Sequence, residues 1–204
     1  MQTRKYNRNE VIVFCKTTDT YGGLSNMAAG YSLNINGVII PSAEHLYQAC
    51  KFPDFPNIQE AIISELSPVT AKIISRKNNH FARTDWKSIR VQVMRWILEV
   101  KLSQNWDTFS QLLLQTDNKP IVELSYKDTF WGATLAGNSL LGINALGRLL
   151  MDVRDKDVKT NSYQACVDPL SVTAFLLYGY DIGLVCNDSF DEEYTLSKAL
   201  LDHH

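Results

Sequence analysis

The segment that most restricts what this chain can become begins at Asp85, where Ile89, Val93, Trp96, Ile97 and Val100 recur at helical spacing. A long helix with such a stripe must lay it against other elements, which commits the chain to helix-based packing. Arg90, Lys101 and Gln104 fall mostly off the stripe. Two proline-marked helices are expected before it. Pro41-Ser42 opens one that runs through Lys51, with Glu44 near its positive end and with Pro53 and Pro56 stopping it. Ser67-Pro68 opens a second, which ends near Arg76-Lys77.

Trp106 to Gln115 reads as a further helix, Asp117 to Pro120 as a turn, and Ile121 to Leu124 as a strand. The glycine-punctuated stretch from Trp131-Gly132 to Gly147 becomes helical at its end, where Leu146, Leu149, Leu150 and Val153 form an apolar face. Near the N-terminus Val11 to Phe14 reads as a strand, and Tyr31 to Ile40 alternates around Asn36-Gly37, a hairpin signal, so a small antiparallel sheet is expected there. After Arg154 the texture changes. Asp155 to Asn161 is a charged linker, and Ala165 to Tyr180 and Phe190 to Leu201 are expected as two extra helices. The expected fold class is α+β, mainly α, with a main multihelical domain over residues 1–155 and a helical extension over 156–204, packed on it or mediating interactions.

A length of 204 residues with 45% hydrophobic and 21% charged side chains is ordinary for a chain that folds around its own core. Twenty basic and 22 acidic residues leave a formal charge of -2, which excludes a global positive field toward nucleic acid but leaves room for a local basic cleft. Cys15, Cys50, Cys166 and Cys186 are far apart and form no CxxC pair, so reduced thiols in a cytoplasm are expected, with neither a zinc site nor a disulfide. Met1 to Glu10 lacks the apolar run of a signal peptide, and no stretch reaches the roughly 18 apolar residues of a membrane span, so no membrane partner is expected.

Three constellations carry chemistry. On a helix, Glu44, Tyr47, Gln48 and Lys51 share one face, setting a carboxylate, an amide and an ammonium along a stripe that either lines a pocket or faces solvent. His45 points elsewhere, toward a structural role. Arg83-Thr84-Asp85-Trp86, with Arg90 beyond, sets an aromatic ring beside two guanidinium groups, an arrangement that stacks a base and pairs with phosphate, or else Trp86 is core. Tyr126 to Gly132 is a polar loop after a strand, in which Asp128 serves a site or caps a turn. Neither GxSxG, HExxH, a phosphate-binding loop nor a dinucleotide fingerprint is present.

Taken in order, these constellations resemble the NADAR superfamily, the YbiA-like N-glycosidases. The resemblance runs through Gly23-Leu-Ser-Asn-Met27, Pro41-Ser-Ala-Glu-His-Leu-Tyr-Gln-Ala-Cys-Lys-Phe52, Ser67-Pro68 with Ala71 and Arg76, Arg83-Thr-Asp-Trp86, Arg90, Val93-Met94, Lys101, Asn105, Val122-Glu123, Asp128, Phe130-Trp-Gly132 and Gly142-Ile-Asn-Ala-Leu-Gly-Arg-Leu-Leu-Met151. It covers about 140 residues and leaves out the tail after about residue 155. The stretch Ala133-Thr-Leu-Ala-Gly137 departs from relatives richer in Asp, Gly and Lys, which bears on substrate identity more than on reaction type.

What the resemblance implies is hydrolysis of the ribose C1'-N bond of a phosphorylated ribosylated compound, either ADP-ribosyl-guanine, free or within nucleic acid, or an intermediate of riboflavin synthesis. Glu44 and Asp128 carry over as the catalytic pair. Trp86, Trp131, Asn26, Gln48, Lys51, Arg76 and Asn144 carry over as substrate-binding groups. Either Trp stacks the base, and Arg76, Arg83, Lys51 or Arg90 pairs with phosphate. Glu44 is assigned to the sugar and Asp128 to the leaving base, with the reverse order open. The chemistry requires no metal and no organic cofactor. A module that holds ADP-ribose or a nucleotide without cleaving it is the alternative.

Overall fold

The computed structural model describes residues 1–187 of the chain. Its centre is the long helix expected from the stripe, here α4 (Trp86–Gln104), with Ile89, Val93, Trp96, Ile97 and Val100 all buried. The stripe understates how enclosed this helix is. Met94, Leu98, Lys101 and Leu102 are buried as well, because α4 is covered on further sides by its neighbours. Lys101, which falls off the stripe in the sequence, is therefore only 1% exposed.

Against α4 pack α1 (Ala43–Ala49), α5 (Trp106–Leu114) and α6 (Ala145–Val153), while α2 (Pro56–Ile63) and α3 (Pro68–Lys77) pack on α1 and on each other. The Ser67 side chain caps α3 by accepting from the Thr70 amide, and Pro68 sits in the first turn, where its missing N–H costs nothing. The same proline rule explains α2. Pro56 does not merely stop α1; it opens a helix of its own. Asp155 to Asn161 is not a plain linker at its start, since Arg154–Val158 prolongs α6 as a wider helical turn.

The strands are short and fall into several small pairings. β1 (Arg4–Asn7), β7 (Ser139–Gly142) and β6 (Thr134–Ala136) form an antiparallel sheet in the order β1-β7-β6. β3 (Leu33–Ile35) and β4 (Val38–Ile40) form the hairpin expected at Asn36-Gly37, both turn residues taking positive φ of 54° and 79°. β2 (Ile12–Phe14) does not join that hairpin as one N-terminal sheet. It pairs in parallel with β5 (Ile121–Glu123), Phe14 opposite Glu123. Gly147 in α6 allows this layer to close, because a Cβ there would lie 2.1 Å from the Ile121 carbonyl oxygen. The fold class is α+β, mainly α, with small sheets at the margins of a helical body.

Residues 165–180 are not helical. They carry β8 (Cys166–Val167), which pairs with β11 (Val185–Cys186), and β9 (Leu176–Leu177), which pairs with β10 (Tyr180–Asp181). Their apolar side chains Val167, Phe175, Leu177, Ile182 and Val185 join the main core, and Phe175 meets Trp96 edge-on at 4.8 Å. The expectation of four free thiols also needs correction. The β8–β11 pairing sets Cys166 opposite Cys186, and the two form a disulfide across a separation of 20 residues, which spacing alone does not disclose. Cys15 and Cys50 are free. The helix expected at Phe190 to Leu201 lies outside the described residues. No helix among the described residues is long and apolar enough to cross a membrane.

Candidate active site

Backbone junctions build the site before its side chains act. The Glu44 amide, in the first turn of α1, donates to the Asn26 carbonyl at 2.9 Å, which holds the Gly23 to Met27 loop against that helix. Behind the loop, the buried Lys101 Nζ donates to the carbonyls of Gly23 (2.7 Å) and Ser25 (3.4 Å) while the rings of Tyr31 and Phe109 flank it at 4.2 Å each. Burial lowers the Lys101 pKa to about 7. The first amides of α6, Ala145 and Leu146, donate to the carbonyls of Phe130 (2.9 Å) and Trp131 (3.1 Å), so a helix N-terminus secures the 125–132 loop. The Arg83 amide donates to the Lys51 carbonyl at 2.8 Å and joins the end of α1 to the approach to α4.

These junctions surround a cavity of about 320 Å³. Asn26, Glu44, Gln48, Lys51, Arg76, Trp86, Arg90, Asp128 and Trp131, which come from well-separated parts of the chain, all line it. Along α1 the side chains form a relay. Lys51 Nζ donates to Gln48 Oε1 (2.5 Å) and to Ser75 Oγ (3.2 Å), and Gln48 Nε2 donates to Glu44 Oε1 (2.7 Å), which Lys72 Nζ approaches at 3.6 Å. No hydrogen bond from the described residues reaches Glu44 Oε2. Asp128 is held differently: its Oδ1 accepts from the amides of Phe130 and Trp131, both at 2.9 Å, and its carboxylate lies in an exposed position.

The aromatic groups form a connected wall, Tyr47 lying 4.9 Å from Trp86 and 5.5 Å from Trp131 between ring centres, and Phe130 lying 5.1 Å from Trp131. The Arg90 guanidinium sits 3.6 Å above the Phe130 ring. Two buried polar atoms at this cavity, Asn26 Oδ1 and Arg90 Nε, have no hydrogen-bond partner among the described residues and are groups a ligand can satisfy.

Two residues with site chemistry, Glu123 and Lys72, are not singled out as site groups by the sequence, and Tyr47 is marked there only by its place on the α1 stripe. Glu123, at the end of β5, opens onto the cavity with its carboxyl pushed up to about 7, first by burial and then by the Glu44 carboxylate. Lys72 lies one turn before Arg76 on α3, a spacing that flags it on the same face. Tyr47 completes the α1 stripe, and burial raises its hydroxyl pKa. Lys51 moves the other way, lowered to about 8 by burial, with Lys72 and Arg76 adding to the shift and Glu44 opposing it.

Two expected site residues lie elsewhere. The Arg83 guanidinium binds the Asp85 carboxylate and the carbonyls of Thr173 and Ala174, outside the cavity. Asn144 is fully buried in a left-handed conformation at the start of α6, where its side chain donates to the Ile121 carbonyl and accepts from the Glu123 amide. It positions the strand that carries Glu123. His45 is fully buried, with Nδ1 on the Ser42 hydroxyl and Nε2 on the Glu65 carbonyl, a structural setting.

The chain is similar to known proteins in sequence and in fold. The N-glycosidase YbiA of Escherichia coli (strain K12) is 36% identical over 149 residues, 73% of this chain and 89% of that protein. An N-glycosidase of Nostoc punctiforme is 32% identical over 147 residues, 71% of this chain and 91% of its own length. A riboflavin biosynthesis protein of Vibrio vulnificus (strain YJ016) is 39% identical over 145 residues, but the chain spans only 38% of it. The NMR structure of E. coli YbiA superimposes with a TM-score of 0.63 at 34% identity, covering 76% of this chain and 89% of that one. The NADAR domain model matches residues 13–156, which takes in every cavity residue named above, and the chain belongs to the NADAR family.

Proposed function

We propose that the chain is an N-glycosidase that hydrolyses the ribose C1'-N bond of a phosphorylated ribosyl compound, either ADP-ribosyl-guanine or an intermediate of riboflavin synthesis. The observation that carries this reading is one cavity combining three carboxyl groups, an aromatic wall and a cationic rim of Lys51, Lys72 and Arg76. The names of the relatives supply the bond and one of the two substrate classes.

Breaking that bond develops positive charge on the sugar and negative charge on the departing nitrogen. Glu44, with Oε2 uncommitted, faces the sugar, shielding the cation or activating water. Water supplies the hydroxyl that ends on C1', and its proton balances the one delivered to the leaving nitrogen. The resemblance assigns the leaving base to Asp128, with the reverse order open. Its Oδ1 is committed to two backbone amides, whereas Glu123, titrating at about 7, still carries a proton near neutral pH. Glu123 therefore takes the donor role, and Asp128 orders the loop that brings Trp131 to the base. The lysine and arginine rim pairs with phosphate through charge-assisted contacts.

The test incubates the chain in parallel with ADP-ribosylated guanine and with phosphorylated riboflavin-pathway intermediates and separates the products by chromatography. Release of free base from one of them is the expected result. Saturable binding with no base released from either substrate overturns the reading in favour of a binding module.

A further inference from the structure

Beyond the family-matched residues 13–156, the chain adds a segment that closes on itself and then grips the wall of the cavity from outside. The Cys166–Cys186 disulfide shuts the segment, and the nested β8–β11 and β9–β10 pairs give it internal order. Its carbonyls are used outwardly. Those of Thr173 and Ala174 accept from Arg83 Nη2 (2.6 Å) and Nη1 (3.0 Å), and the same guanidinium binds both carboxylate oxygens of Asp85 at 2.6 and 3.0 Å. Asp85 is the residue before Trp86, which starts α4, and the Arg83 amide holds the Lys51 carbonyl. A second tie runs parallel: the fully buried Gln59 donates to the carbonyls of Ala49 and Leu176 and accepts from the Tyr178 amide. Both ties end on the stretch of α1 and α4 that presents Lys51 and Trp86 to the cavity.

We propose that the disulfide-closed segment 166–186 is a strap that positions the Lys51–Trp86 wall through Arg83, so that opening the Cys166–Cys186 bond weakens substrate binding. Arg83 is thus a positioning residue, acting through Asp85 and the Lys51 backbone. The switch is balanced by an external dithiol: two electrons and two protons pass to the protein, the sulfur–sulfur bond becomes two thiols, and the reductant closes to its cyclic disulfide. Both cysteines are half-buried, within reach of a small reductant. The kinetic readout rests on the N-glycosidase reading; a structural readout does not.

The experiment measures kcat and KM of the full chain, oxidised and after treatment with dithiothreitol, for the wild type and Arg83→Ala, with hydrogen exchange followed over residues 49–52 and 85–89 in each sample. Reduction is expected to raise KM about tenfold, within the usual range of coupling between distant sites, with kcat changed less than about threefold. Arg83→Ala with the disulfide closed raises KM about threefold, because the Gln59 tie remains, and reduction then brings the total to about tenfold and no further, because it also cuts the tie that Arg83→Ala has already cut. Exchange quickens over both stretches in either case. Unchanged KM and exchange on reduction, or multiplying effects of reduction and Arg83→Ala, overturn the strap. If reduction abolishes the far-ultraviolet dichroism, the oxidised Arg83→Ala sample decides alone. Absence of product in every sample refutes the N-glycosidase reading and leaves exchange to decide the strap.

Discussion

The α1 wall and the 125–132 loop each bring a carboxylate to the cavity, and they hold it by opposite means. Glu44 is only 6% exposed, and its neighbours Gln48 and Lys72 gather on one oxygen, leaving the other uncommitted. Asp128 is exposed and, although only its Oδ1 is engaged, that oxygen accepts from two backbone amides of its own loop and not from side chains. A carboxylate held by side chains on a rigid helix keeps a free face for chemistry. One that accepts from backbone amides shapes the loop that carries it. Glu123 is a third case, fixed at a strand end and kept partly protonated by burial and by the charge of Glu44.

Substitutions at the three carboxyl groups test this contrast. The largest effect is expected at Glu44. Glu44→Gln should cut turnover by at least ~100-fold, in line with general acid–base contributions, with the circular dichroism spectrum unchanged. Glu123→Gln comes next, a loss of roughly tenfold to 100-fold in kcat. In the wild type, kcat should fall as pH rises through about 7, because the donor loses its proton, and that limb should be absent from the Gln variant when rates are followed across pH.

The same residue gives a stability test. Its folded pKa of about 7 lies above the ordinary 4.5, so its contribution is fully present below pH 4.5 and is lost as pH rises through 7. Glu123→Gln should flatten that decline in urea denaturation midpoints measured at pH 5 and pH 8; an unchanged slope would place the titration elsewhere. Asp128→Ala is expected to have the smallest effect. Loss of two amide contacts in an exposed loop should cost about 1 kcal/mol in thermal unfolding and raise KM severalfold through a mobile Trp131. A loss in Asp128→Ala as deep as in Glu44→Gln would erase the distinction between the two carboxylates.

Much of the helical body is legible in the sequence. The Ile89 to Val100 periodicity, the Ser67-Pro68 start and the Leu146 to Val153 face each read out as α4, α3 and α6 because each signal is local. α2 is hidden because a proline is equally the end of one helix and the first turn of the next. The β8–β11 and β9–β10 pairs have two-residue strands, too short to show a period of two, so the apolar run from Val167 to Leu177 looks helical until its partners are known. Within the site, the α1 stripe is legible since four residues share one face. Glu123 is not, because its burial and raised pKa come from β2, α1 and the Asp128 loop, which meet it only in the fold. Arg83 and Asn144 show the converse. Their motifs are local, but the partners that absorb their side chains are the Thr173 and Ala174 carbonyls for one and β5 for the other.

On the proposed reading this cavity cuts an N-glycosidic bond, and Glu44 is needed for the cut and not for the grip. The most direct measurement pairs ligand affinity with single-turnover release of free base, for the wild type and Glu44→Gln side by side on the substrate that the parallel incubations identify. Dissociation constants within about threefold of each other, with release at least ~100-fold slower in the variant, are expected. Equal release from both proteins would contradict that reading.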